Sequence, residues 1–394
     1  MLKPAIVVVG YNRADSMSRL LKSIGDARYD YKDINLIISI DYCENNQDVL
    51  KVAESFVWEY GEKCIRYHKK NMGLRKHILS CGDLTEKYGS VIVLEDDLIV
   101  SPYFYDFAVK ALDFCNDLDY VAGISLYKND YNQTAAKKFC ELDDGYDNWY
   151  LKQAQSWGQA WSFEQWGKFK QWYENNVDTP FDDKNIPENI RNWSASSWLK
   201  YYDRYVIETN KYYFYPRVSY TTNNTEPGTH FQSVDHTFQV PLAYGKKEFD
   251  FSKIEESGSV YDAFYENENL HKWMGFDNNE LTVDLYGTKE VVNTRYLLSS
   301  RKLDYEIVKS YACSMRPMEM SVMYNIKGNN FYLYDTDKKI KNTNTVQNVD
   351  LTYFYPGLRL ESEYLITKRF VKHLFKSHKM KNIKVVLKRI LNRR

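Results

Sequence analysis

Apolar residues in the first hundred positions fall in two alternating rhythms. Ala5–Val9 is an unbroken apolar run, the mark of a strand buried on both faces, and it ends in the turn Gly10-Tyr11-Asn12-Arg13. Ser16–Ile24 then places Met17, Leu20, Leu21 and Ile24 at i, i+3, i+4, i+7, which predicts an amphipathic helix. The cycle repeats: a strand at Asn35–Ile40 ending on Asp41, a helix over Gln47–Tyr60, a strand at Ile65–His68, a helix over Leu74–Leu84, and a strand at Val91–Leu94 running into Glu95-Asp96-Asp97. Such alternation predicts an α/β fold of βαβ units, Rossmann-like, with a mostly parallel sheet flanked by helices. Further on, Tyr103–Cys115 reads as a helix, Tyr120–Leu126 as a strand and Tyr212–Thr222 as extended. From about residue 246 the βαβ rhythm is lost. The expected organisation is a domain over 1–245, a smaller α+β accessory region over 246–367, and a basic amphipathic helical tail over 368–394.

In open α/β sheets, ligands bind beyond the carboxyl ends of the strands. Three polar clusters sit at such ends: Gly10–Arg13, Asp41–Asn46 and Glu95–Asp97. The fold therefore predicts one site assembled from three distant segments. Its strongest element is Glu95-Asp96-Asp97, because clustered carboxylates repel one another and call for a counter-charge. Hard divalent cations such as Mg²⁺ or Mn²⁺ favour these ligands and often complete their shell with substrate phosphates. The competing reading of the trio is a solvated turn that caps the next helix.

Val8-Val-Gly-Tyr-Asn-Arg13, Ser39-Ile-Asp41, Asn71-Met-Gly-Leu-Arg75 and the Glu95-Asp96-Asp97 strand end, in this order and spacing, resemble the GT-A fold glycosyltransferases. The likeness is to N-acetylglucosaminyltransferases of the type-I kind and to bacterial family-two-like sugar transferases. It covers residues 4–110 and extends more weakly through Trp157–Trp166 and Pro216–Ser219 to Asp235. The resemblance implies that Gly10, Tyr11, Asn12 and Arg13 line a nucleotide pocket and that Asp41 accepts a hydrogen bond from the uracil ring. Arg75 is then expected near the diphosphate or ribose, Asp97 as the direct ligand of Mn²⁺ or Mg²⁺, and Glu95 and Asp96 on ribose, sugar or metal-bound water. Thr222–Phe231, with His230, resembles a loop that closes over the donor. The implied activity is transfer of a sugar from a nucleotide-diphosphate sugar, a UDP-sugar, to a glycan or lipid-linked acceptor.

One departure stands out. In the resembling enzymes an acidic residue just before a Trp acts as the base, whereas Trp193-Ser-Ala-Ser-Ser-Trp198 carries Ser196 at that position. Asp182, Asp183 and Glu226 are the candidate replacements, and an inverting or a retaining course both stay open. The missing base keeps an idle carbohydrate- or nucleotide-sugar-binding homologue as an alternative. A sugar nucleotidyltransferase is the other alternative, although Gly10-Tyr-Asn-Arg13 is short and glycine-poor for its phosphate loop. The Trp157–Trp166 cluster reads either as an acceptor or sugar pocket or, at helical spacing, as core.

Composition adds three points. The 394 residues are 44% hydrophobic and 16% aromatic, enough for a sizeable core, and six scattered cysteines with no CxxC pair suit free thiols in a reducing compartment. No apolar run reaches transmembrane length, and a strand-like run begins almost at Met1 in place of a signal peptide, so a cytoplasmic protein is expected. The balance of 53 basic against 53 acidic residues conceals an asymmetry: Lys368–Arg394 holds 11 Lys and Arg and no acid. With Phe370, Leu374, Ile383, Leu387 and Leu391 on helical stripes, the tail has the pattern of an interfacial helix on anionic lipid at the inner membrane face. The acidic body makes nucleic acid an unfavourable partner.

Overall fold

The computed structural model describes residues 2–224, 236–342 and 351–354. Contacts divide the chain into two compact units, Met1–Asn344 and Thr345–Arg394. The described part of the second is the short helix Leu351–Phe354. The tail over 368–394 lies outside the described residues.

The first unit opens with β1 (Ala5–Gly10), α1 (Ala14–Gly25), β2 (Leu36–Ile40), α2 (Gln47–Ser55), β3 (Lys63–Tyr67), α3 (Leu74–Gly82), α4 (Thr85–Tyr88), β4 (Ser90–Glu95), β5 (Leu98–Val100), α5 (Phe104–Cys115) and β6 (Val121–Ser125). β1 pairs in parallel with β2, and β2 with β3, while β4 returns to pair in parallel on the other side of β1. All residues of β1 and β2 are buried, as strands covered on both faces require. The predicted stripe of α1, Met17, Leu20, Leu21 and Ile24, is buried against that sheet's core. Because the winding reverses between β1 and β4, a crevice opens at their carboxyl ends, where Gly10 and Glu95 lie. Val9 is in register with Glu95, and Gly10 with Ile40.

The nine-stranded sheet continues past β4 through Gln159–Ser162, β6, Tyr212–Pro216, Asn148–Leu151 and Val260–Tyr261. Its pairings are mostly parallel, but Gln159–Ser162 runs antiparallel between β4 and β6, and Asn148–Leu151 antiparallel to Tyr212–Pro216. This corrects the helical reading of Trp157 and Trp161. Trp161 belongs to a central strand and is fully buried among Trp166, Trp198 and Tyr202. The helix starts only at Phe163, where Ser162 and Gln165 form a capping box: Ser162 Oγ accepts from the Gln165 N–H, and Gln165 Oε1 from the Ser162 N–H.

Two other expectations shift. α2 stops at Ser55 instead of Tyr60, because Phe56 turns extended and Trp58 folds inward to donate its indole N–H to the Ile34 carbonyl at 2.7 Å. The change of character near residue 246 is not a boundary between compact units. Phe249 and Phe251 pack on Phe107 and Phe214, and Val260–Tyr261 adds a strand to the main sheet. A four-stranded sheet does follow, in the order Leu281–Asp284, Tyr296–Ser299, Phe331–Lys339, Tyr305–Tyr311.

Candidate active site

The carboxyl ends of β1, β2 and β4 deliver the three predicted clusters to one edge of the sheet. Gly10 closes β1 where a Cβ would collide with Met17 Cε. Tyr11 and Asn12 are exposed, and Arg13 is the N-cap of α1, its carbonyl accepting the Met17 N–H. From there the Arg13 guanidinium crosses the crevice. It ion-pairs tightly with Asp96 through Nη2 and reaches Asp97 Oδ2 through Nη1 at 3.5 Å.

Asp96 and Asp97 share one guanidinium, and Glu95 adjoins them in the chain. Burial pushes the Glu95 carboxyl up to about 8, and the charges of Asp97 and Asp96 add to the rise. Burial also lifts Asp96 to about 6, against the pull of Arg13. Arg13 itself sits above its ordinary value: burial opposes its charge, but Asp96 and Asp97 outweigh that cost.

Asp41 takes a second position. Its carboxylate is buried and accepts the Tyr42 and Met72 N–H groups on Oδ1, both at 2.8 Å, and the Gly73 N–H on Oδ2 at 3.0 Å. It therefore ties the end of β2 to the loop that opens α3. Oδ2 accepts one of these bonds and keeps acceptor capacity for another. Asn71 reaches the Tyr42 carbonyl and the Tyr11 hydroxyl, and the Tyr11 phenol is raised by its hydrogen bond with Cys43 and by burial. Beneath them, Ser39 Oγ lies 2.8 Å from His77 Nε2 and 3.3 Å from His68 Nε2. Residue types alone gave no signal for this Ser39–His68–His77 cluster, since its members are brought together only by the β2–β3–α3 packing.

Arg75, in the first turn of α3, lies over the Tyr201 ring at 4.9 Å. Asp182 and Asp183 are exposed, and Asp183 Oδ1 accepts from the backbone and side-chain amides of Asn185, as in a solvated turn. Ser196 is exposed and bonded to Ser194. Glu226 and His230 lie outside the described residues, as does most of the expected closing loop.

The described start of that loop bears on the trio. Thr221–Asn223 pairs antiparallel with β5, Asn223 opposite Leu98, and the Asn224 N–H bonds the Asp97 carbonyl at 2.7 Å. Among the described residues, no group of three or more His, Cys, Asp or Glu side chains is arranged to hold a metal ion. The donor chemistry nevertheless fits a hard cation that takes one or two carboxylates and shares phosphate oxygens. Among the described residues, Asp97 Oδ1 is buried without a hydrogen-bond partner, and Thr222 Oγ1 and Asn223 Oδ1 on the adjoining strand are in the same state. Oxygens left so cost about 1–3 kcal/mol each, and more when charged, unless something binds them.

No family model and no curated protein matches the sequence. Among solved structures, the chain is similar to Staphylococcus aureus TarS 1-349 in complex with UDP-GlcNAc, at 13% identity over 58% of this chain and 61% of that one, with a TM-score of 0.40. It is also similar to the mannosyltransferase PcManGT from Pyrobaculum calidifontis in complex with GDP-Man and Mn²⁺, at 13% identity over 44% of this chain and 47% of that one, with a TM-score of 0.31. The chain thus spans about half to three fifths of the length of these structures. This chain's own architecture is α/β, a mostly parallel sheet flanked by helices.

Proposed function

We propose that the chain is a metal-dependent glycosyltransferase that moves a sugar from a nucleotide-diphosphate sugar, a UDP-sugar, to a glycan or lipid-linked acceptor. The observation that carries the reading is the Arg13–Asp96–Asp97 constellation at the β1/β4 switch point, with Asp97 Oδ1 buried and unpartnered among the described residues. A guanidinium and a carboxylate cluster at this position match a diphosphate and the divalent cation that accompanies it. Asp97, with Asp96 beside it, would hold Mn²⁺ or Mg²⁺, which supplies charge neutralisation for the departing diphosphate. Gly10–Arg13 and Asp41 would line the nucleotide, Asp41 through its remaining acceptor capacity. In the transfer, the acceptor oxygen bonds to the anomeric carbon as the bond from that carbon to the phosphate oxygen breaks. The nucleoside diphosphate leaves, and the acceptor proton passes to a base.

Ser196 and the solvated turn of Asp183 favour one second reading, a binding homologue without turnover. A screen of UDP-, GDP- and dTDP-sugars with Mn²⁺ by thermal shift, followed by donor hydrolysis without acceptor, separates the two. The transferase is expected to release the nucleoside diphosphate slowly and to lose both binding and hydrolysis in Asp97→Asn. Binding without any release supports the homologue, and undiminished UDP and Mn²⁺ binding by Asp97→Asn overturns the metal assignment.

The cellular role follows from composition. The tail's 11 positive charges and apolar stripes suit a protein peripheral to the inner face of a bacterial membrane, building surface polysaccharide there. Among the described residues no helix is long and apolar enough to cross a membrane. Deleting residues 368–394 should release the protein from vesicles containing anionic lipid at physiological salt, and undiminished vesicle binding would refute the assignment.

A further inference from the structure

Arg13 has a task that the donor-binding role alone does not explain. Among the described residues it is the cation that ion-pairs with Asp96 and Asp97, and Asp96 is almost wholly buried in that embrace. The pairing is uneven: the Asp96 contact is tight, whereas Nη1 stands 3.5 Å from Asp97 Oδ2 and Asp97 Oδ1 has no partner among the described residues. The guanidinium also comes from the N-cap of α1, so its backbone is anchored by the helix while its side chain is 30% exposed. A nucleotide diphosphate brings further negative charge to a place where Asp96 and Asp97 already share one guanidinium. Its phosphates compete with Asp96 and Asp97 for the Arg13 guanidinium.

We infer that Arg13 is an exchangeable counter-ion: it neutralises Asp96 and Asp97 in the donor-free protein and transfers to the diphosphate when a divalent cation reaches those carboxylates. The inference rests on the reading of Asp97 as a metal ligand. Two consequences follow from charge alone. Arg13 competes with a free divalent cation for the same oxygens, so the donor-free protein binds metal weakly. Once released, its planar fork suits two phosphate oxygens, so nucleotide and metal strengthen each other's binding by one shared factor. The device would keep the acidic site from trapping a cation without its nucleotide, and it makes metal and donor arrive together.

The test is Mn²⁺ binding, followed by the electron paramagnetic resonance of free Mn²⁺, with and without saturating UDP, for the parent, Arg13→Gln and Arg13→Lys. Arg13→Gln should bind Mn²⁺ alone about tenfold more tightly than the parent, about 1.4 kcal/mol. The tightening produced by UDP should shrink by a similar factor. Arg13→Lys keeps the charge but not the fork, so it should still hold off free Mn²⁺ while losing most of the coupling. Unchanged or weaker Mn²⁺ binding by Arg13→Gln alone, or undiminished coupling, overturns the inference. Circular dichroism and thermal melting check that both variants fold, and Arg13→Lys carries the test if Arg13→Gln does not. Parent protein that binds no Mn²⁺ even with UDP rejects the metal reading itself, a separate outcome.

Discussion

Asp41 holds Gly73 by a charge-assisted hydrogen bond of 3.0 Å from the Gly73 N–H to Oδ2, while Oδ1 takes the Met72 N–H at 2.8 Å. One carboxylate at the end of β2 thus fixes the entry to α3, more than thirty positions later in the chain. Gly73 has φ 75° and ψ 153°, a region that residues with a Cβ avoid. Gly73→Ala should therefore cost about 1–3 kcal/mol in urea unfolding. Asp41→Ala should cost about 2–4 kcal/mol, because it frees three buried or half-buried backbone donors. A neutral Asp41→Ala would show that the loop does not depend on this brace.

Asn223 offers the opposite balance of stability and binding. Its Oδ1 is buried with no partner among the described residues, so Asn223→Ala removes a cost and little else, and stability should change by less than about 0.5 kcal/mol or rise. Binding of UDP with Mn²⁺ should nevertheless weaken, since the residue lies opposite Leu98, next to Asp97. Isothermal titration beside thermal melting reads both. Lost stability with unchanged binding would assign Asn223 to the scaffold.

His77 makes stability depend on pH. Burial pushes its imidazole down to about 4 from an ordinary 6.5, outweighing the opposite pull of Asp41, and His68 and Arg66 add to the fall. Between those values the unfolded chain binds more protons than the folded one, so stability rises with pH. The contribution is complete above about 6.5 and is lost as pH falls towards 4, on the order of 3 kcal/mol in all. Urea unfolding of the parent and His77→Gln from pH 7.5 to 4.5 should show the parent losing more stability than the variant. Parallel slopes would contradict the neutral, buried imidazole.

Trp161 tests the central strand. Its ring is fully buried, its indole N–H donates to the Tyr213 hydroxyl at 2.8 Å, and a Cβ on Gly123 would meet it at 2.7 Å. Trp161→Ala should cost about 3–5 kcal/mol, as expected for a large core deletion. Gly123→Ala should destabilise by overpacking the same contact. Trp157, only half-buried, should cost clearly less on truncation. Equal losses for Trp157→Ala and Trp161→Ala would restore the helical face that their spacing suggested.

The amino-acid sequence by itself determined the β1–β4 portion of the molecule and the gathering of Gly10–Arg13, Asp41 and Glu95–Asp97 at one edge. Continuous apolar runs, a 3.6-residue stripe and polar strand ends are local signals, and the handedness of βαβ units converts them into a topology. The capping box at Ser162 and Gln165 was equally local, yet the Trp spacing masked it. Tertiary structure alone decided the rest. It threaded Gln159–Ser162 antiparallel between β4 and β6, drew Val260–Tyr261 into the sheet, set Thr221–Asn223 against β5, and stacked Arg75 on Tyr201. It also turned the Arg13 guanidinium onto Asp96 and Asp97 across more than eighty positions. Pairings of that range carry no period in the chain. They are settled by which buried faces and charges find partners once the core has formed, and that competition is visible only in three dimensions.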